Sequence, residues 1–169
     1  MDTDDSKSRA ISYCRMKDKW PDFDSLLGNG EEGFVWRTSH DSAIKVYDAG
    51  RLRNFSTELA CYEILADNNV TELEGFTIPY LVGSSEELLV LELSIVSAPY
   101  VLDFGKAYIN VPPDFSEEVL ADYDAEREEM FEGNWDLAQC VVGALQWFGI
   151  FYADARPSNI NCQGHPEAV

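Results

Sequence analysis

Histidine is nearly absent from this sequence, with His40 and His165 its only two imidazoles. A His-rich metal site is therefore excluded. Cysteine is scarce too: Cys14, Cys61, Cys140 and Cys162 stand far apart without a C-x-x-C pair. That spacing suits neither a zinc site nor a disulfide framework. Basic residues are outnumbered, with 12 Lys and Arg against 31 Asp and Glu and a formal net charge of −19. Polyphosphate backbones are bound chiefly through Lys and Arg, so the balance argues against nucleic acid and anionic membranes as partners. No apolar run approaches the roughly 20 residues of a membrane-spanning helix. The opening residues, Met1 to Lys7, are polar and acidic, unlike a secretory signal. A reducing, cytoplasmic setting is the expectation.

What is present points to a folded globule, since 46% of the residues are hydrophobic and 12% aromatic. A chain of 169 residues can build one domain or two small lobes. The stretch around which the chain is organised is Tyr152-Ala153-Asp154-Ala155-Arg156-Pro157-Ser158-Asn159, which follows the apolar run Val141 to Ile150. A carboxylate and a carboxamide five positions apart on a short loop suit phosphoryl transfer. The Asp can orient or deprotonate a hydroxyl, and the Asn can bind a magnesium ion.

Earlier in the chain, Phe23 to Arg37 reads as strand, glycine turn and strand, with Gly28, Gly30, Gly33 and Val35 spaced G-x-G-x-x-G-x-V. The same glycines open a helix in dinucleotide-binding folds. Here Phe34-Val35-Trp36-Arg37-Thr38 continues as a strand, which favours a hairpin. The next strand, Ser42 to Tyr47, carries Lys45 beside Ala43 and Ile44. A Lys in an apolar strand is costly to bury without an anionic partner. Phe55 to Leu65 has helical periodicity, with Ser56 or Thr57 as possible N-cap. Glu58 and Glu63 are acidic positions on this helix, Glu58 one residue before its apolar face. Gly75 to Gly83 and Leu88 to Leu93 read as two strands joined by an acidic turn. Val111-Pro112-Pro113 is a break. Ser116 then caps an acidic helix to Glu132, and Asn134 opens a buried helix from Trp135 to Phe148. Ile160-Asn161-Cys162 begins a further strand.

In order, these elements resemble the protein-kinase-like family, whose marks are a glycine hairpin, a V-A-I-K strand, a helix glutamate and an H-R-D-x-x-x-x-N loop. Tyr152-Ala153 replaces the family's His-Arg, and Arg156 stands where it usually has Lys. The resemblance implies an α+β fold: a small antiparallel β-sheet lobe with one helix over 21–93, then a reduced helical lobe over 94–169. The polar N-terminal arm over 1–20 has weak periodicity and reads as a mobile arm or a short helix. It implies ATP and Mg2+ as cofactors. Gly28, Gly30, Gly33 and Val35 would cover the phosphates, with Ala43 beside them. Lys45 would hold the phosphates and Glu58 would orient Lys45. Leu91, Glu92, Leu93 and Ser94 would border the adenine pocket, largely through backbone groups. Asp154 would engage the acceptor hydroxyl, Arg156 the transferring phosphoryl group, and Asn159 the magnesium ion.

The family also has a D-F-G magnesium motif downstream of the catalytic loop, and only ten residues follow Asn159. Asp103-Phe104-Gly105 spells that motif 51 residues before Asp154 and reads as coincidence. The expected activity is phosphoryl transfer from ATP to a protein Ser/Thr hydroxyl. The alternative is an impaired pseudokinase that binds nucleotide or a protein partner. A third reading is a small-molecule kinase of the aminoglycoside- or choline-kinase type, against which the glycine loop and Pro157 weigh. Loss of the usual packing neighbours would leave the 135–148 helix with an exposed apolar face, suited to homodimerisation.

Overall fold

The computed structural model describes residues 3–169. Its fold is mixed α+β. The first element is α1 (Thr3–Met16), the helical one of the two expected alternatives, and it is docked. Ser6, Ala10, Tyr13 and Cys14 fall on one face and are buried, and Asp4 and Asp5 in the first turn and Arg15 in the last suit the helix dipole. That stripe includes the polar Ser6, and the apolar Met16 lies exposed outside it, which is why the periodicity is faint in the sequence.

Strands β1 (Pro21–Asn29), β2 (Gly33–Thr38) and β3 (Ser42–Tyr47) follow, then a single 3-10 turn and α2 (Leu52–Asp67). Helix α2 starts earlier than Ser56 or Thr57, and Arg51 at its N-cap makes no side-chain capping bond. Its buried face is Phe55, Glu58, Cys61, Tyr62 and Leu65, the three- and four-residue spacing of one helix side. Short strands β4 (Glu72–Leu73) and β5 (Phe76–Thr77) lead to β6 (Leu81–Ser85) and β7 (Val90–Ser94). Five of these strands form an antiparallel sheet in the order β1-β2-β3-β7-β6. Helix α1 covers part of it, with Ala10, Tyr13 and Cys14 packed against Trp36, Ile44, Val46 and Val90.

The rest of the chain comprises β8 (Tyr100–Val101), β9 (Tyr108–Ile109), α3 (Glu117–Phe131), α4 (Trp135–Gln146), β10 (Ile150–Phe151) and β11 (Ile160–Asn161). Ser116 caps α3 by accepting from the Val119 amide, and α3 is exposed apart from buried Arg127 and Phe131 and half-buried Tyr123. Asn134 stands at the N-cap of α4 without a side-chain capping bond. Helix α4 is not left bare: Trp135, Leu137, Ala138, Val141 and Leu145 share the main core with Tyr62 and Leu65 of α2. The exposed face expected to drive homodimerisation is thus filled from within the chain, although Trp147 beyond its end is 90% exposed. Strands β9 and β10 pair, and β11-β8-β5-β4 form a second sheet. Among the described residues no helix is long and apolar enough to cross a membrane.

Candidate active site

The β1–β2 hairpin carries the three glycines over a cleft of about 620 Å³. Gly28 pairs with Val35, and the Gly30 amide donates to the Gly33 carbonyl at 3.1 Å to close the turn. A methyl group on Gly33 would lie 2.0 Å from the Val46 carbonyl oxygen, so glycine is required there by the approach to β3. A methyl group on Gly30 would meet nothing within 4 Å, so crowding does not require glycine there. Val35, Ala43, Leu93 and Leu102 give the cleft apolar walls, and Lys45, Lys106 and Arg156 bring cations into it.

Lys45 is the hub. Its ammonium donates to Glu58 at 2.6 Å, to Glu32 at 2.8 Å and to Asp103 at 2.9 Å. Of the two helix glutamates, Glu58 is therefore the partner, while Glu63 faces water. The Tyr47 hydroxyl also donates to Glu58. Burial works against the charge on Lys45, but Glu58, Asp103 and Glu32 together carry its pKa well above 10.5. Burial would likewise raise Asp103, yet Lys45 and Lys106 hold it below its ordinary 3.8.

Of the tripeptide expected to be coincidental, Asp103 lines the cleft. Strand β8 runs antiparallel to β11, with Val101 opposite Ile160 and Tyr100 opposite Asn161, and the Leu102 amide donates to the Asn159 carbonyl at 2.9 Å. Asp103 thus emerges next to the strand that leaves the Asp154 loop. Its φ of +66° turns the backbone sharply, a conformation Asp tolerates better than most residues. Phe104 is fully buried between Tyr62 and Tyr152, with edge-on ring contacts at 5.1 and 5.5 Å. The Tyr152 hydroxyl donates to the Leu102 carbonyl at 2.7 Å, which ties the same turn to the loop.

Asp154 and Asn159 line the same cleft as the hairpin glycines. Arg156 and Lys106 both pair with the Asp154 carboxylate, Lys106 at 3.2 Å. Asn159 is buried, and its amide donates to the Asp154 carbonyl at 3.2 Å, fixing the loop. Its side-chain oxygen accepts from Ser158 at 3.1 Å and retains a further lone pair. Carboxylate and carboxamide oxygens on one cleft are the hard donor set that magnesium prefers.

Glu92 is not among the residues that line the cleft. Its side chain leaves the cleft and is buried under α1, where Lys19, Ser42 and Tyr13 donate to it, the last at 3.0 Å. On β7 the alternation of faces puts the neighbouring Leu93 toward the cleft instead. Glu32, Asp103, Lys106 and the Tyr62–Phe104–Tyr152 stack were all missed as site residues. For Asp103 the signal was the spelled motif itself, set aside because of its place in the chain.

Three carboxylates around one ammonium leave excess negative charge, and burial raises the Glu58 carboxyl to about 7 against the pull of Lys45. A carboxyl held higher in the folded than in the unfolded chain contributes stability at low pH and loses it as pH rises through about 7. The lowered Asp103 and raised Lys45 titrate outside that window. Between about pH 5 and pH 8 this group should cost the folded state on the order of 1–3 kcal/mol. Urea midpoints across that range should fall more steeply in wild type than in Glu58→Gln, which cannot titrate. Parallel profiles would show that Glu58 keeps its charge throughout.

No family model matches the chain, and a search of the curated proteins likewise finds no match.

Proposed function

We propose that this chain is an ATP- and magnesium-dependent phosphotransferase of the protein-kinase-like type, with its metal-binding aspartate supplied from upstream of the catalytic loop. The observation that carries the reading is Lys45 held by Glu58 and Asp103 in one cleft with Asp154 and Asn159, beneath a glycine hairpin. Chain order does not matter to the chemistry. What matters is that β8 and β11 are neighbours, which delivers Asp103 and Asn159 to the same place.

In this reading Leu93, Val35, Ala43 and Leu102 enclose the base, and Lys45 holds the phosphates while Glu58 fixes the Lys45 ammonium. Asp103 and Asn159 would hold magnesium, which when bound neutralises charge on the transferring phosphoryl group. Asp154 accepts the proton of the acceptor hydroxyl, which the resemblance assigns to a protein Ser or Thr. Arg156 and Lys106, both paired to Asp154, stand ready to meet the transferring group. The pseudokinase alternative drew its force from a missing D-F-G, and Asp103 in the cleft weakens that ground.

The test is calorimetric ATP binding with and without magnesium, for wild type, Lys45→Met and Asn159→Ala, each checked for folding by circular dichroism. Magnesium-dependent binding in wild type, lost in Lys45→Met and weakened in Asn159→Ala, is the expected result. No binding by a folded wild type would sink the reading and leave a partner-binding module in its place.

A further inference from the structure

Glu32 lies at the tip of the glycine hairpin, where a side chain would ordinarily face water, yet it is only 8% exposed. Its carboxylate turns down into the cleft. One oxygen takes a hydrogen bond from Lys45 at 2.8 Å and the other from the Asn54 side-chain amide at 2.8 Å. The Asp48 amide donates to the Glu32 carbonyl at 2.8 Å, so the backbone is fixed as well. A methyl group placed on Gly105 would meet both carboxylate oxygens at 2.8 Å, which shows how closely the side chain is seated against the turn after Asp103. The tip is thereby tied to β3, to α2 and to that turn at once. Asn54, partly buried in the first turn of α2, makes the hydrogen bond that holds the carboxylate from the helix side.

Granted the nucleotide reading of the cleft, on which this rests, we propose that Glu32 is a built-in occupant of the phosphate seat on Lys45 and makes the site discriminate against polyphosphates that arrive without a divalent cation. An ammonium already bonded to three carboxylates has no donor left for a phosphate oxygen. Glu32 is the one of the three on a hairpin tip, and it must leave Lys45 before a phosphate can take its place. A bare triphosphate then meets Glu32, Glu58 and Asp103 together, whose oxygens lie within 4.8 Å of one another. A cation bound between phosphates and Asp103 removes that repulsion. A nucleoside without phosphates does not touch the seat and is indifferent to Glu32.

The experiment is calorimetric binding of ATP, adenosine and inorganic tripolyphosphate to wild type, Glu32→Gln and Asn54→Ala, each with magnesium and with EDTA. Glu32→Gln should bind ATP and tripolyphosphate tighter than wild type by roughly tenfold or more in EDTA, and by less with magnesium. Asn54→Ala, which frees the carboxylate without removing it, should shift the same way by a smaller factor. Adenosine affinity should be the same in all three proteins. Equal or weaker polyphosphate binding by Glu32→Gln overturns the proposal, and weakening confined to the magnesium arm would mark Glu32 as a metal ligand instead. Tripolyphosphate needs no base pocket. If adenosine binds nowhere while Glu32→Gln still gains tripolyphosphate, the nucleotide reading fails and the anion seat stands.

Discussion

On the proposed phosphotransferase function, Asp103→Asn should abolish magnesium-dependent phosphoryl transfer, lowering turnover by about a thousandfold or more while leaving the fold in place. Asparagine keeps the size and the hydrogen-bonding shape of the side chain, but removes the charge that would hold the metal and that faces Lys45 at 2.9 Å. The neighbouring Phe104, buried between Tyr62 and Tyr152, is untouched, so the packing of the turn survives. The loss should fall on turnover and on the magnesium concentration needed for half-maximal ATP binding, not on adenosine affinity. Asp154→Ala should cut turnover comparably yet leave the magnesium requirement of ATP binding unchanged, because its carboxylate meets Arg156 and Lys106 and not Lys45. If Asp103→Asn kept turnover and metal dependence within about threefold of wild type, the tripeptide would be serving packing alone.

The pair of variants also bears on what a sequence can reveal. Lys45, Glu58 and the hairpin glycines were legible because their meaning is local. A Lys in an apolar strand needs an anion, a helix stripe needs a face, and G-x-G-x-x-G followed by a β-branched run needs a hairpin. Asp154 and Asn159 lie on one short loop, and both line the cleft. Asp103 was spelled out, but its place in the cleft depends on the pairing of β8 with β11, two strands some 60 residues apart. Nothing in a two-residue ladder announces its partner, and strand pairing has no memory of chain order. Glu32 was invisible for a different reason. A hairpin-tip glutamate is expected in solvent, and only the position of Asn54 and the bare Cα of Gly105 let it turn inward. Glu92 failed through face alternation: one step along β7 from Leu93 reverses the side of the sheet.

That reversed side chain carries the largest expected effect on stability. Glu92 is 1% exposed, and Lys19, Ser42 and Tyr13 all donate to it. Those bonds lower its carboxyl below the ordinary value even though burial pushes the other way. Lys19 is itself buried, so Glu92→Ala would leave an ammonium, a hydroxyl and a phenol without their acceptor beneath α1. Removing one partner of a buried ion pair costs about 3–5 kcal/mol, a large share of the roughly 5–15 kcal/mol that a domain of this kind has in total. The urea midpoint of Glu92→Ala should drop accordingly, with hydrogen exchange rising first in α1, because Tyr13 ties that helix to the sheet. Pairing the changes as Glu92→Leu with Lys19→Met removes both charges and should recover a substantial part of the loss. If the double variant were no more stable than Glu92→Ala, the deficit would lie in packing, not in a stranded charge. The adenosine affinity of all these proteins should stay close to wild type, since the Glu92 side chain lies on the face of the sheet that the cleft does not use.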